Sequence, residues 1–259
     1  ALAAILSAAV FANRLAPAGY EQQYRDAINA PPSDRFPLGN DELGRDRLAR
    51  LLHGSRVSLL LAPAAALLAT LLAALVGGLA GYCGGWTDRL AMRATDLVLS
   101  LPWLFALLTV RGLLPLNVSP WISVIITFAL LGLLGWAAPA RVVRAAMRDL
   151  MSSGFLLQAQ SAGLSRRRIL FVQLLPALRP VLLAQFWVAM PVFILGEANL
   201  SLLGLGLAEP LPSLGNLLRG LEHQPALLDS PWLLAPALLL VTVLGCLQLT
   251  LSRKEDLPT

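Results

Sequence analysis

The stretch VSLLLAPAAALLATLLAALVGGLAGYCGGWT, residues 57–87, contains no Asp, Glu, Lys or Arg. A bilayer core of about 30 Å is crossed by roughly 20 apolar residues in a helix, so this run is long enough to span it. Residues 112–140 and 230–252 are equally free of charge, which predicts two more spans. Two further apolar stretches carry one acid each, Asp96 in 94–114 and Glu197 in 178–206. Ala1 to Phe11 is apolar but short and reads as the tail of a sixth span, with a cleaved or interfacial start as the alternative.

Composition agrees. The chain has 259 residues, 57% hydrophobic and 14% charged, with a mean hydropathy of +0.70. A soluble domain keeps roughly 25% charged residues, so the chain belongs in a membrane. Its only lysine is Lys254, which follows Ser252-Arg253 with no glycine run. A phosphate-cradling Gly-x-x-x-x-Gly-Lys loop is therefore excluded, and ATP chemistry must be done by another chain. Cys83 and Cys246 read as small buried hydrophobes, and His53 and His223 lie far apart in polar segments, so neither a metal site nor a catalytic residue is expected. The arginines flank apolar spans instead of forming a basic, aromatic-interleaved patch, which argues against nucleic acid.

Sidedness follows from the cations. Arg141, Arg144, Arg148, Arg166, Arg167, Arg168 and Arg179 stand against one acid, Asp149, so the loop between the fourth and fifth spans is expected in the cytoplasm. Parity then places 14–56 and 207–229 outside, although 14–56 holds seven arginines. In that segment Asn40-Asp41-Glu42 resembles a helix start with an Asn cap. Leu48, Leu51 and Leu52 share a face, and Asp46 and Arg50 stand at i,i+4. This predicts an amphipathic surface helix or a lead-in to the next span. Within the cytoplasmic loop, 149–176, the residues read as a short helix at Phe155, Leu156 and Ala159, a break at Gly163, and a second helix capped by Ser165 and ended by Pro176. Partner docking and anchoring to anionic lipid are both open readings of its arginines.

Four stretches, in order and spacing, carry a family resemblance. They are Pro37 to Asp46, Gly81 to Asp88, the loop with Gly163 and Leu175-Pro176, and Glu197-Ala198-Asn199-Leu200-Ser201-Leu202-Leu203-Gly204-Leu205-Gly206 followed by Pro210, Pro212 and Gly215. The chain resembles the transmembrane permease subunits of binding-protein-dependent ABC importers of the dipeptide, oligopeptide and nickel class. The resemblance implies an all-α polytopic membrane protein of about six transmembrane helices with type I importer architecture. It implies residence in a bacterial cytoplasmic membrane and a division into a first span with its external segment, 1–56, and a five-helix core, 57–259. It also implies a second homologous permease, two ATPase subunits that hold ATP and Mg, an extracytoplasmic substrate-binding protein, and no cofactor on this chain.

By the same resemblance the ATPase-docking loop comprises Leu157, Gln158, Ala159, Gly163, Ser165, Arg166, Arg167 and Arg168. Leu157 stands where the family has Glu, and Gln173 where relatives often have His. The expected contacts for the binding protein are Asp41, Glu42, Arg45, Pro210 and Pro212. Glu197, Asn199 and Ser201 are the pore or gate candidates, against the reading that Glu197 is a carboxylate held by its neighbours to lock helices together. An ion-coupled transporter would need a relay of ionisable groups through the membrane, and only Asp96 and Glu197 offer themselves. An intramembrane protease lacks its motifs, and a membrane scaffold is the remaining alternative.

Overall fold

The computed structural model describes residues 2–16, 18–113, 119–154, 156, 158, 163–207, 209–221 and 230–255. Among these residues the regular structure is helical, with two isolated bridges, Gln23 to Arg45 and Asn40 to Asp46. Three helices are long and apolar enough to cross a membrane alone: Arg47–Cys83, Ile169–Leu202 and Pro231–Thr250. Two bent pairs qualify together, Gly85–Ser100 with Trp103–Gly112 at 77°, and Pro120–Leu134 with Ala137–Met151 at 41°. That gives three spans, and up to five where each bent pair is one span, among the described residues, beside the nine-residue apolar helix Leu2–Val10, which packs on the Ala235–Glu255 helix. The chain separates into two compact units, Ala1–Pro63 with Leu108–Phe128 and Pro191–Thr259, and Ala64–Leu107 with Ala129–Met190.

Several local expectations change. The predicted helix start at Asn40 is replaced by one at Arg47. Asp41 closes a turn instead, accepting the Leu43 and Arg45 N–H groups at 2.9 and 2.8 Å, and Gly44 follows with φ +73°. Asp46 takes the cap, accepting the Leu48 N–H at 2.9 Å, so it is not the partner of Arg50. No separate surface helix forms, because Arg47–Cys83 is continuous over 37 residues. At 1.5 Å per residue that is roughly 55 Å, well beyond the hydrocarbon core. The helix buries small residues, Ala62, Ala65, Ala66, Ala69, Ala73 and Ala80, and exposes Leu60, Leu67, Leu71, Leu75 and Leu79. Leucines gain nothing from leaving lipid, whereas small residues let helices approach, so this inversion of a soluble pattern is the expected one.

The second unit shows what that approach achieves. A Cβ on Gly77 would lie 2.2 Å from the Ala140 carbonyl oxygen, and one on Gly81 would lie 2.7 Å from the Met147 Cβ. The Gly77-x-x-x-Gly81 spacing thus places the Arg47–Cys83 backbone against Ala137–Met151, beside the buried Ala73, Ala140 and Val143. The left-handed Gly84 and Gly85, φ +62° and +54°, turn the chain into Gly85–Ser100. That helix returns to Ala137–Met151 through Asp88, which is bonded by Arg144 and Arg148, the latter at 2.6 Å. Asp96 pairs with Arg141 at 2.5 Å, across helices. Cys83 is exposed at its helix end, not buried.

Pro176 does not end a helix. The short helix Arg166–Arg168 runs into a π segment, Ile169–Leu174, and then into Leu175–Leu202. Within a regular α ladder the proline ring would collide with a carbonyl one turn earlier. The wider i→i+5 turn immediately before it relieves that collision without stopping the helix.

Candidate functional site

Three groups of residues stand out, and two lie in the first unit. Glu197 is fully buried on the Leu175–Leu202 helix. Its Oε1 accepts the hydroxyls of Ser201, one turn later, at 2.8 Å and of Ser213 at 2.7 Å. Its other oxygen accepts the Ser58 hydroxyl at 3.3 Å, and the Gly215 N–H also donates to the carboxylate. Ser213 caps the Leu214–Arg219 helix through the Asn216 N–H, and Ser58 accepts the Leu214 N–H. One carboxylate therefore gathers the Arg47–Cys83 helix, its own helix and the segment after it. The approach needs glycine: a Cβ on Gly215 would stand 2.8 Å from Glu197 Oε1, and one on Gly54 would stand 3.1 Å from the Ser213 backbone. Asn199 is exposed and outside this cluster. Nearby, Arg111 donates to the Gly206 carbonyl at 3.1 Å, to Leu205 at 3.3 Å and to the Ser123 hydroxyl. This arrangement has the character of a lock, since every partner of Glu197 belongs to the fold itself.

The second group is ionic. Arg45 bonds Asp41 and Glu209, both at 2.8 Å, and Arg50 bonds Glu209 at 3.0 Å. The two segments expected to meet a binding protein are thus joined to one another. Arg45 and Arg50 are nearly buried while Glu209 is half exposed. Burial pulls the Arg45 guanidinium down, but its bond to Asp41 and the charges of Asp41 and Glu209 outweigh that and hold it above its usual value. Burial likewise pushes the Glu209 carboxyl up, and Arg50 and Arg45 together bring it below the ordinary range. Asp46 goes the other way: burial raises it against the N–H bonds of Leu48 and Ala49. Above this network opens a cavity of about 370 Å³, lined by Asp41, Glu42, Arg47, Glu209 and Asn216 among others. Of the remaining candidates, Pro212 is buried and Pro210 half-buried beside Glu209.

The third group lies in the second unit. Leu157 and Ala159 are outside the described residues, and Gln158 is exposed. Gly163 is exposed with φ +73°, and a Cβ there would meet nothing within 4 Å. The Ser165 hydroxyl accepts the Arg168 N–H at 3.4 Å, opening the helix that begins at Arg166, and Arg167 and Arg168 are exposed. Leu156 is fully buried against Met147, Ile169, Leu174 and Leu178, and the half-buried Leu164 of the turn packs on the same cluster.

The sequence pointed to Asp41, Arg45 and the Glu197–Ser201 pair, but not to Glu209, Ser58, Ser213 or Arg50 as partners. Their pairings span 139 to 164 residues except for Ser213, so no local periodicity marks them. The signal available was weaker: a lone acid in an apolar span must find donors somewhere.

Comparison with known proteins completes the description. The family model described as binding-protein-dependent transport system inner membrane component matches residues 64–252. The chain is 34% identical over 239 residues to the oligopeptide transport system permease protein OppC of Mycobacterium tuberculosis, covering 91% of this chain and 79% of that one. It is 32% identical over 215 residues to the OppC protein of Bacillus subtilis, covering 82% and 68%. A putative peptide permease protein of Brucella suis is 32% identical over 206 residues, covering 80% and 66%.

Proposed function

Because the chain belongs to the family of binding-protein-dependent transport system inner membrane components, we propose that it forms half of a peptide-conducting pore. It is a multi-pass permease subunit of an ATP-driven ABC importer, a transporter component and not an enzyme. Family membership implies, in general, a partner permease, an ATPase and a substrate-binding protein. We assign the finer arrangement as follows. The second permease is a homologue and makes the pore a heterodimer, and two ATPases, which hold ATP and Mg, dock on the cytoplasmic face. An extracytoplasmic receptor delivers cargo to the opposite face of a bacterial cytoplasmic membrane. Peptide is the favoured cargo because the relatives carry peptide permease names.

The observation that carries this reading is the turn at Gly163, where Gly163, Ser165, Arg167 and Arg168 are exposed and Leu164 packs on the buried cluster around Leu156. It falls within the family match and presents an open surface where the resemblance expects the ATPase. Bridges from Glu209 to Arg45 and Arg50 favour a common external side for 14–56 and 207–229, since they join the two segments. Alternating access then requires that a push near Gly163 rearrange the spans.

The test uses the assembled complex in nanodiscs. Peptide-loaded receptor should accelerate ATP hydrolysis, and no response from an intact assembly would overturn the proposed partners and cargo. Gly163→Trp should hydrolyse ATP yet lose uptake, because there is room for the side chain but the left-handed backbone costs about 1–3 kcal/mol. Unchanged uptake would remove the loop assignment.

A further inference from the structure

The cavity above the Asp41–Arg50–Glu209 network has an electrostatic remainder. Asp41 and Glu209 are matched by Arg45 and Arg50, so those four charges cancel locally. Two lining charges are left. Glu42 is exposed and has no ion pair among the described residues, and Arg47 stands half-buried in the wall. Arg47 spends its Nε on the Asn40 carbonyl, at 2.9 Å. Its two terminal nitrogens make no hydrogen bond or ion pair with the described residues, and they carry four N–H donors in a planar fork suited to a carboxylate. A guanidinium so placed is fixed by one bond, partly desolvated, and lines the cavity with its remaining donors unspent.

We propose that this cavity receives an acidic side chain of the substrate-binding protein, gripped by Arg47. The proposal rests on the docking reading above and names the chemistry of the contact. The exposed Glu42 sets the complement further: the incoming acid has a basic neighbour, so the partner presents a mixed pair and not an acidic cluster. Arg45 and Arg50 offset the repulsion that Asp41 and Glu209 would exert on it. Leu43, exposed on the rim, is the steric threshold that a docked partner must clear.

The experiment measures the dissociation constant of peptide-loaded receptor for the assembled complex in nanodiscs, at two salt concentrations. Arg47→Gln keeps a side-chain N–H for the Asn40 carbonyl and removes the charge; Arg47→Lys keeps the charge; Leu43→Trp blocks the rim. The expected result is about tenfold weaker binding for Arg47→Gln with a reduced salt dependence, intermediate binding for Arg47→Lys, which keeps the charge but not the fork, and weak binding for Leu43→Trp. If Leu43→Trp weakens binding but Arg47→Gln does not, the acid contact is overturned while docking on this face stands. If neither variant weakens binding, docking on this face is itself overturned. Should Arg47→Gln fail to assemble, Arg47→Lys decides: binding as weak as that of Leu43→Trp would overturn the charge as the determinant.

Discussion

Truncating Glu197 to Ala tests the buried lock directly. Four donors converge on its carboxylate: the hydroxyls of Ser58, Ser201 and Ser213 and the Gly215 N–H. Ser201 lies in a helix and can turn to a carbonyl one turn earlier, and Ser58 makes the longest of the hydroxyl contacts, at 3.3 Å, so their loss is small. Ser213 is held by the Asn216 N–H it caps, and the Gly215 N–H cannot rotate. Two donors are then stranded, at about 1–3 kcal/mol each, giving a loss of roughly 4 kcal/mol. For a chain of this size that corresponds to a fall in Tm of about 10 °C. Thermal unfolding of the assembled complex in nanodiscs, followed by tryptophan fluorescence, reads it out. Glu197→Gln retains one acceptor oxygen and should lose about half as much. A change below about 2 °C for Glu197→Ala, or a larger loss for Gln than for Ala, would refute the reasoning.

Two further outcomes are expected. Gly77→Val drives a side chain into the Ala140 carbonyl, a backbone atom that cannot swing aside, and should cost about 3 kcal/mol or more by the same melting assay. For Glu209 the folded-state pKa lies below its ordinary value. Its ion pairs therefore contribute fully above the unfolded value of about 4.3 and are lost as pH falls through the depressed folded value. The melting temperature should drop with acidification in that window, and Glu209→Gln should flatten the drop.

Much of the fold can be read from local patterns, and the reasons for the failures are physical. Charge-free runs locate the spans because lipid penalises charge wherever it sits. Helix ends are harder. Asn40 looks like the cap, and only the turn closed by Asp41 and Gly44 moves the helix start to follow Asp46. Pro176 reads as a stop unless the ladder widens beneath it, which composition does not announce. In the site, Asp41 and Arg45 enter through the family resemblance, whereas Glu209 meets Arg45 164 residues away. Gly77 and Gly81 are legible only as a spacing; the Ala140 carbonyl that demands them is invisible until the helices are packed.

The widened turn at Ile169–Leu174 has a geometric meaning. One residue in excess of the α ladder is absorbed within such a segment, so the helix on its two sides keeps the angular phase of an α-helix one residue shorter. The Arg166–Arg168 turn thus runs into the start of the next helix, with Pro176 in it, without a break.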